Sequence, residues 1–304
     1  MNNRAAQEGW ISLLIMVVII AVALYFLLPS LPEYPADGQN ESSSNETLLN
    51  NTNTTLPDEL NKTSLRIANW NLQIFGTSKA SNETLLNAYA NIIDDYDIIF
   101  VQEIRDASGL AFNKLCDLLE EYECTNSSRA GRSTSKEQYG LIYRTGLDFI
   151  SLTDYNQIGN ESDNFERPPI AVVFEINGFV NGQHVPENLT IWNIHTKPED
   201  VPNEMTNLEK LIDNKSEVNS EYIMILGDMN YACNYKDRAK GFFLNYHWLI
   251  TDDMDTTSAT NNCSYDRILV NDNLYKNVIL SGIDSDKITS DMSDHYLIWT
   301  KFLW

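Results

Sequence analysis

Tyr222-Ile223-Met224-Ile225-Leu226-Gly227-Asp228-Met229-Asn230 decides the fold. The apolar run Tyr222–Leu226 reads as a buried strand, and an acid and an amide two residues apart follow it. A rigid strand aims the side chains at its end into a cleft. Asp228 and Asn230 carry oxygens that suit a hard cation or a phosphate. Far downstream, Ser293-Asp294-His295 directly precedes a second apolar run, Tyr296-Leu297-Ile298-Trp299. An Asp-His pair suits proton transfer. Oxygen donors and an acid–base pair, both at strand ends, point to phosphodiester hydrolysis.

The flanking sequence supplies more strands of the same kind. Leu65–Trp70, Asp97–Val101, Leu141–Arg144, Asp148–Thr153, Ile170–Ile176, Leu189–Asn193, Arg267–Val270 and Leu297–Phe302 are apolar or alternating. Helices are predicted from Ser81 to about Asp94, over Asp106–Glu121, and over Val201–Lys215, where Pro202 is tolerated in the first turn. Several strands follow one another with no helix between them. That order predicts a mixed α/β sandwich and not a doubly wound parallel sheet.

The N-terminal region is of another kind. Residues 1–9 form a short leading segment with one cation, Arg4. The 19 residues Trp10–Leu28 carry no charge and are long enough to cross a bilayer. They read as a transmembrane signal-anchor, with a cleaved secretory signal as the alternative. Residues 29–63 are rich in Asn, Ser and Thr, bury too little apolar area to order themselves, and read as a disordered tether. Asn-x-Ser/Thr triplets crowd this tether and recur at Asn82, Asn126, Asn160, Asn188, Asn214 and Asn262. An outward-facing chain is expected, either anchored with residues 64–304 extracellular or secreted. In such a chain Cys116, Cys124, Cys233 and Cys263 favour disulfides, and no CxxC pair with companion histidines supports zinc. The net charge of −22 argues against tight metal-free binding to nucleic acid. Bound divalent cations can supply the missing positive charge where phosphate docks.

Read in order, the short motifs are Asn69-Trp70-Asn71, Gln102-Glu103-Ile104-Arg105-Asp106, Lys136-Glu137-Gln138-Tyr139, Arg167-Pro168-Pro169, Asn193-Ile194-His195-Thr196, Gly227-Asp228-Met229-Asn230, Cys263-Ser264-Tyr265-Asp266-Arg267-Ile268 and Ser293-Asp294-His295. This series resembles the endonuclease/exonuclease/phosphatase superfamily, and within it the deoxyribonuclease I group. The resemblance spans Leu65 to Trp304 and implies a four-layer α/β sandwich with two mixed β-sheets. It implies that Glu103 and Asn71 hold a catalytic Mg²⁺ or Mn²⁺, with Asp294 and Asp228 as further oxygen ligands. His195 and His295 become an acid–base pair oriented by Glu137 and Asp266. Arg167, Asn230 and Tyr139 would surround the scissile phosphate, Tyr235 would contact another phosphate, and Arg105 would reach a DNA minor groove. A Cys233–Cys263 bridge and a structural Ca²⁺ loop with Asp255, Thr257 and Asn261 are implied too, whereas Cys116 and Cys124 have no counterpart.

Each residue also has a plainer reading. His195 alone would pass as a satisfied core histidine, but two of only four histidines fall in the motifs. Asp266 and Arg267 can simply pair with each other. Arg105 is as readily a surface cation as a DNA contact. Ser135 stands where the group has a tyrosine and Gln73 where it has an arginine, so single strands or RNA stand beside duplex DNA as substrates. The implied activity is a Mg²⁺/Ca²⁺-dependent, nonspecific deoxyribonuclease that leaves 5′-phosphates and acts as a monomer. The rivals are a phosphodiesterase or phosphatase acting on a phospholipid or inositol phosphate, an abasic-site repair enzyme, and a non-catalytic surface-binding module.

Overall fold

The computed structural model describes residues 64–132, 136–180, 183–215, 220–235, 241–259 and 262–304. The expected anchor at 10–28 and tether at 29–63 lie outside the described residues, as does Asn261. Among the described residues no helix is long and apolar enough to cross a membrane.

Two six-stranded mixed sheets form the frame. The first holds β1 (Ser64–Phe75), β2 (Ile98–Ile104), β3 (Tyr122–Asn126), β4 (Gln138–Arg144), β11 (Val278–Asp284) and β12 (Leu297–Leu303), in the order β11-β12-β1-β2-β4-β3. The second holds β5 (Asp148–Asp154), β6 (Ile170–Val180), β7 (Gln183–Asn193), β8 (Tyr222–Asp228), β9 (His247–Trp248) and β10 (Asp266–Val270), in the order β5-β6-β7-β8-β10-β9. Among the described strands, β1 with β2 and β7 with β8 run parallel, and the other neighbours run antiparallel. Helices α1 (Thr77–Ser81), α2 (Glu83–Ile93) and α3 (Leu110–Cys116) accompany the first sheet, and α4 (Val201–Asn214) accompanies the second. A last short helix, α5, spans Asp272–Tyr275.

Alternation along the strands builds three apolar clusters between four layers. Ile67, Ile98, Phe100 and Leu141 meet Val172, Ile191, Leu226 and Ile268 between the sheets. The opposite strand faces, Trp70, Ile99 and Val101, pack on Leu86, Tyr89, Ile93 and Phe112. Trp192, Ile225 and Leu269 pack on Met205, Leu208 and Ile212 of α4. This is the expected α/β sandwich of two mixed sheets. Disulfides join Cys116 to Cys124 and Cys233 to Cys263.

Local expectations change in one helix and at the sheet edges. The helix expected over Asp106–Glu121 is confined to Leu110–Cys116, because Gly109 takes a left-handed φ of 74°. Asp106 instead closes the preceding turn by accepting the N–H groups of Ser108 and Ala111. Strands β3, β9 and β11, all at sheet edges, are additional to the expected set.

Candidate active site

One edge of both sheets carries all the polar motifs. Strands β1, β2, β7 and β8 end there, while β4, β10 and β12 begin there. A buried amide network ties the two sheets together beneath it. Gln102 donates to the Ile194 carbonyl at 2.8 Å and accepts the Asp228 N–H at 3.0 Å. Asn193 donates to Asn69 Oδ1 at 2.8 Å. Gly227 makes this approach feasible: its φ is 143°, and a Cβ there would lie 1.9 Å from the Ile194 carbonyl oxygen.

The backbone turns sharply where the strands end. Gln73, Ile74, Glu103 and Asn230 take φ of 46°, 56°, 62° and 48°, a left-handed region that non-glycine residues rarely occupy. Such strain costs about 1–3 kcal/mol per residue and persists only where the surroundings impose it. Here it turns Glu103 inward, away from strand alternation. Lys79 holds one bend by donating to the carbonyls of Leu72, Gln73 and Met292 at 2.6–2.7 Å.

The two histidines converge. His195 Nδ1 lies 2.6 Å from Glu137 Oε1, and His295 Nδ1 lies 2.8 Å from Asp266 Oδ2. A carboxylate only accepts, so each Nδ1 carries a hydrogen and each Nε2 is turned toward the cleft. The Nε2 atoms stand 3.4 and 3.6 Å from the same oxygen, Oδ2 of Asp228. They are therefore no more than about 7 Å apart, the sum of the 3.4 and 3.6 Å distances to one carboxylate oxygen.

Charge follows from this packing. Burial pushes the Glu137 carboxyl up, but His195, Arg167 and Arg105 outweigh it and hold it at about 2. Burial also pushes Asp228 up, and the imidazoles of His295 and His195 with the Asn71 amide bring it below the usual range. Asp266 sits directly opposite Asp228 in the β8–β10 ladder. Burial lifts the Asp266 carboxyl, and Asp228 adds to the lift. Burial would lower His295, yet Asp266 and Asp228 raise it to about 10, so this ring keeps its proton at neutral pH.

Oxygen donors gather beside the imidazoles. The Asn71 amide donates to Asp228 Oδ2 at 3.1 Å and to Glu103 Oε1 at 3.4 Å. The amide turns its neutral NH₂ to the two carboxylates, while its oxygen accepts the Gln73 N–H at 2.9 Å. The set of two carboxylates and one amide suits a hard divalent cation. Asp294 is half-exposed at the rim, with Oδ1 3.9 Å from His295 Nε2.

Several expected residues sit differently from the reading above. Tyr139 is buried behind the site: its hydroxyl accepts the His195 N–H at 3.0 Å and donates to the Arg167 carbonyl at 3.1 Å. Its hydroxyl thereby links the His195 and Arg167 loops. Arg105 pairs with Glu103 and Glu137 at 3.0 and 3.2 Å, so it is not a free surface cation, and about a quarter of its side chain, 24%, stays exposed at the cleft. Arg267 does not pair with Asp266; it turns to Asp252 at 2.7 Å and to the carbonyls of Ile250 and Tyr231. Arg167 lies at the cleft, donating to the carbonyls of His195 and Thr196. Asn230 anchors its side chain on the Thr196 carbonyl at 3.1 Å. Tyr235 is exposed, with its ring 6.0 Å from that of Tyr265. In the expected calcium loop, Asp255 Oδ1 accepts the N–H groups of Thr257 and Cys263 at 3.2 and 3.1 Å. Gln102, Lys79 and Glu204 were not foreseen as site residues.

Comparison with known proteins agrees with this arrangement. Residues 68–295 match the model of the endonuclease/exonuclease/phosphatase family. Human deoxyribonuclease-1 is 33% identical over 262 residues, covering 77% of this chain and 90% of that protein. The Bos taurus deoxyribonuclease-1 is 30% identical over 259 residues, with the same coverage. Among solved structures, an endonuclease/exonuclease/phosphatase family protein from Bacteroides thetaiotaomicron superposes with a TM-score of 0.56 at 14% identity, covering 80% of this chain and 96% of that one. A mannosyl-6-phosphatase from the same organism gives a TM-score of 0.55 at 14% identity, over 79% and 99% of the two chains. The chain belongs to the endonuclease/exonuclease/phosphatase family, in the group of deoxyribonuclease I, and is a hydrolase of that family.

Proposed function

We propose that this protein is a metal-dependent, nonspecific endonuclease that hydrolyses DNA phosphodiester bonds and leaves 5′-phosphates. One observation carries the reading: the Nε2 atoms of His195 and His295 both lie within 3.6 Å of a single oxygen of Asp228. A phosphorus placed against that carboxylate is within reach of both rings.

His195, whose Nδ1–H is committed to Glu137, offers Nε2 to accept a proton from the attacking water. His295, held protonated by Asp266 and Asp228, offers its proton to the departing 3′-oxygen. Arg167 stands beside the His195 loop, where charge grows on the phosphoryl oxygens. Asn230 fixes the Thr196 carbonyl and lies two residues from Asp228. Glu103, Asn71 and Asp228, with Asp294 at the rim, would hold Mg²⁺ or Mn²⁺. When bound, the cation neutralises charge on the phosphate. Tyr235 and Arg105 are proposed to contact the nucleic acid beyond the scissile group. Asp255, Thr257 and Asn261 are proposed to hold a structural Ca²⁺, and residues 10–28 to anchor the enzyme outside the cell.

The test is a substrate panel: supercoiled plasmid, single-stranded DNA, RNA, sphingomyelin and an inositol phosphate, each with Mg²⁺ and Ca²⁺. The proposal expects nicked plasmid with 5′-phosphate ends and little turnover of the lipid or the inositol phosphate. Turnover confined to the latter two would overturn it.

A further inference from the structure

Glu204 takes part in no step above, yet it grips both loops that carry those steps. It lies in the first turn of α4 and is 1% exposed. Its Oε1 accepts the Glu166 N–H at 2.6 Å, and its Oε2 accepts the Lys197 N–H at 2.8 Å. Glu166 immediately precedes Arg167, and Lys197 follows His195 by two positions. Arg167 closes the circuit by donating to the carbonyls of His195 and Thr196 at 2.9 and 2.6 Å. A carboxylate in a helix's first turn ordinarily serves that helix's own free amides. Glu204 reaches past them to two other segments, and the N-cap residue Asp200 makes no side-chain cap bond either.

The chemistry of the clamp is specific. Two backbone donors arrive at one side chain, and each needs an acceptor atom. A carboxylate supplies two, whereas an amide supplies one acceptor and sets an NH₂ group against the other N–H. A buried donor left facing a donor loses its hydrogen bond and stays desolvated.

We propose that Glu204 is a positioning residue of the phosphodiesterase reaction, a carboxylate clamp that locks the His195 loop against the Arg167 loop. The proposal rests on the reading that both loops serve one phosphate. A displacement of about 1 Å in such a loop costs on the order of 100-fold in rate.

The experiment uses the full chain in detergent micelles. The parent is compared with Glu204→Gln, Glu204→Asp, Arg167→Met and the Glu204→Gln/Arg167→Met double variant. Plasmid cleavage gives kcat and KM, and hydrogen exchange reports the amides of Glu166 and Lys197. The clamp predicts that Glu204→Gln lowers kcat by at least about tenfold with KM little changed. Glu204→Asp, with both acceptors kept, should recover part of that loss. The double variant should be no slower than Arg167→Met by more than about twofold, because the two residues act as a unit. At least one of the two amides should exchange faster in Glu204→Gln while β8 stays protected. Parent kcat in Glu204→Gln, losses that multiply in the double variant, or unchanged exchange at both amides would each overturn the clamp. Should Glu204→Gln fail to fold, the same readings on Glu204→Asp decide, with parent values at both counting against the clamp. Exchange needs no DNA cleavage, so an inactive parent counts against the proposed function while the clamp is still tested.

Discussion

Replacing Glu137 by Gln probes stability and catalysis at one position. One hydrogen bond and two ion pairs meet on its two oxygens: His195 Nδ1 at 2.6 Å and the Arg167 guanidinium at 3.2 Å from Oε1, and the Arg105 guanidinium at 3.2 Å from Oε2. An amide has one acceptor, so its NH₂ must face a cation or the imidazole N–H. Either choice releases the tautomer that points Nε2 at the cleft, and kcat should fall by about 10²–10⁴-fold, the range of general acid–base help. The stability effect has a definite sign. The carboxyl is depressed from 4.5 to about 2 on folding, so it stabilises the fold above the unfolded value and loses that stabilisation as pH falls from about 4.5 toward 2. At 1.36 kcal/mol per pH unit, the depression corresponds to about 3 kcal/mol. Urea unfolding of parent and Glu137→Gln in EDTA should therefore differ by about 3 kcal/mol at pH 7, and the gap should close at pH 2–3. A variant with parent kcat, or a gap that stays constant from pH 7 to pH 2.5, would refute the reasoning.

Other positions give simpler outcomes. Gly227→Ala forces a Cβ to within 1.9 Å of the Ile194 carbonyl at a φ of 143°, so loss of several kcal/mol or failure to fold is expected in thermal unfolding. Cys233 and Cys263 close a loop with a sequence separation of 30, for which chain entropy gives about 4 kcal/mol; replacing both with Ser should lower Tm by roughly 10 °C. EDTA should abolish cleavage and Mg²⁺ should restore it; equal cleavage in EDTA would remove the cation from the account. Raising salt from 50 to 200 mM should weaken DNA binding by at least about tenfold, measured as KM, because phosphate contacts release counterions.

Much of the site was readable because strand ends fix direction. Asp228 and His295 adjoin apolar runs that could only be buried strands, and both side chains lie where those runs place them. Asp266 and Arg267 were ambiguous in sequence; strand alternation sends Asp266 to His295 and Arg267 to the opposite face, toward Asp252. The same rule explains Tyr139, whose neighbours Leu141 and Tyr143 share its inward face in the core between the sheets. Strand β3, half-exposed throughout, and β11, partly exposed, lay at edges that leave no strong apolar pattern to read. Glu204 was hidden because its partners are backbone amides of distant loops, and only the fold brings them to it.

The central claim is that two imidazoles serve one phosphorus beside Asp228. Its most direct measurement is single-turnover cleavage of plasmid DNA by His195→Ala, by His295→Ala and by the double variant. The account predicts that each single change lowers the rate by at least about 100-fold, and that the double variant loses little more than the slower single one. Cleavage at the parent rate by either single variant would contradict it.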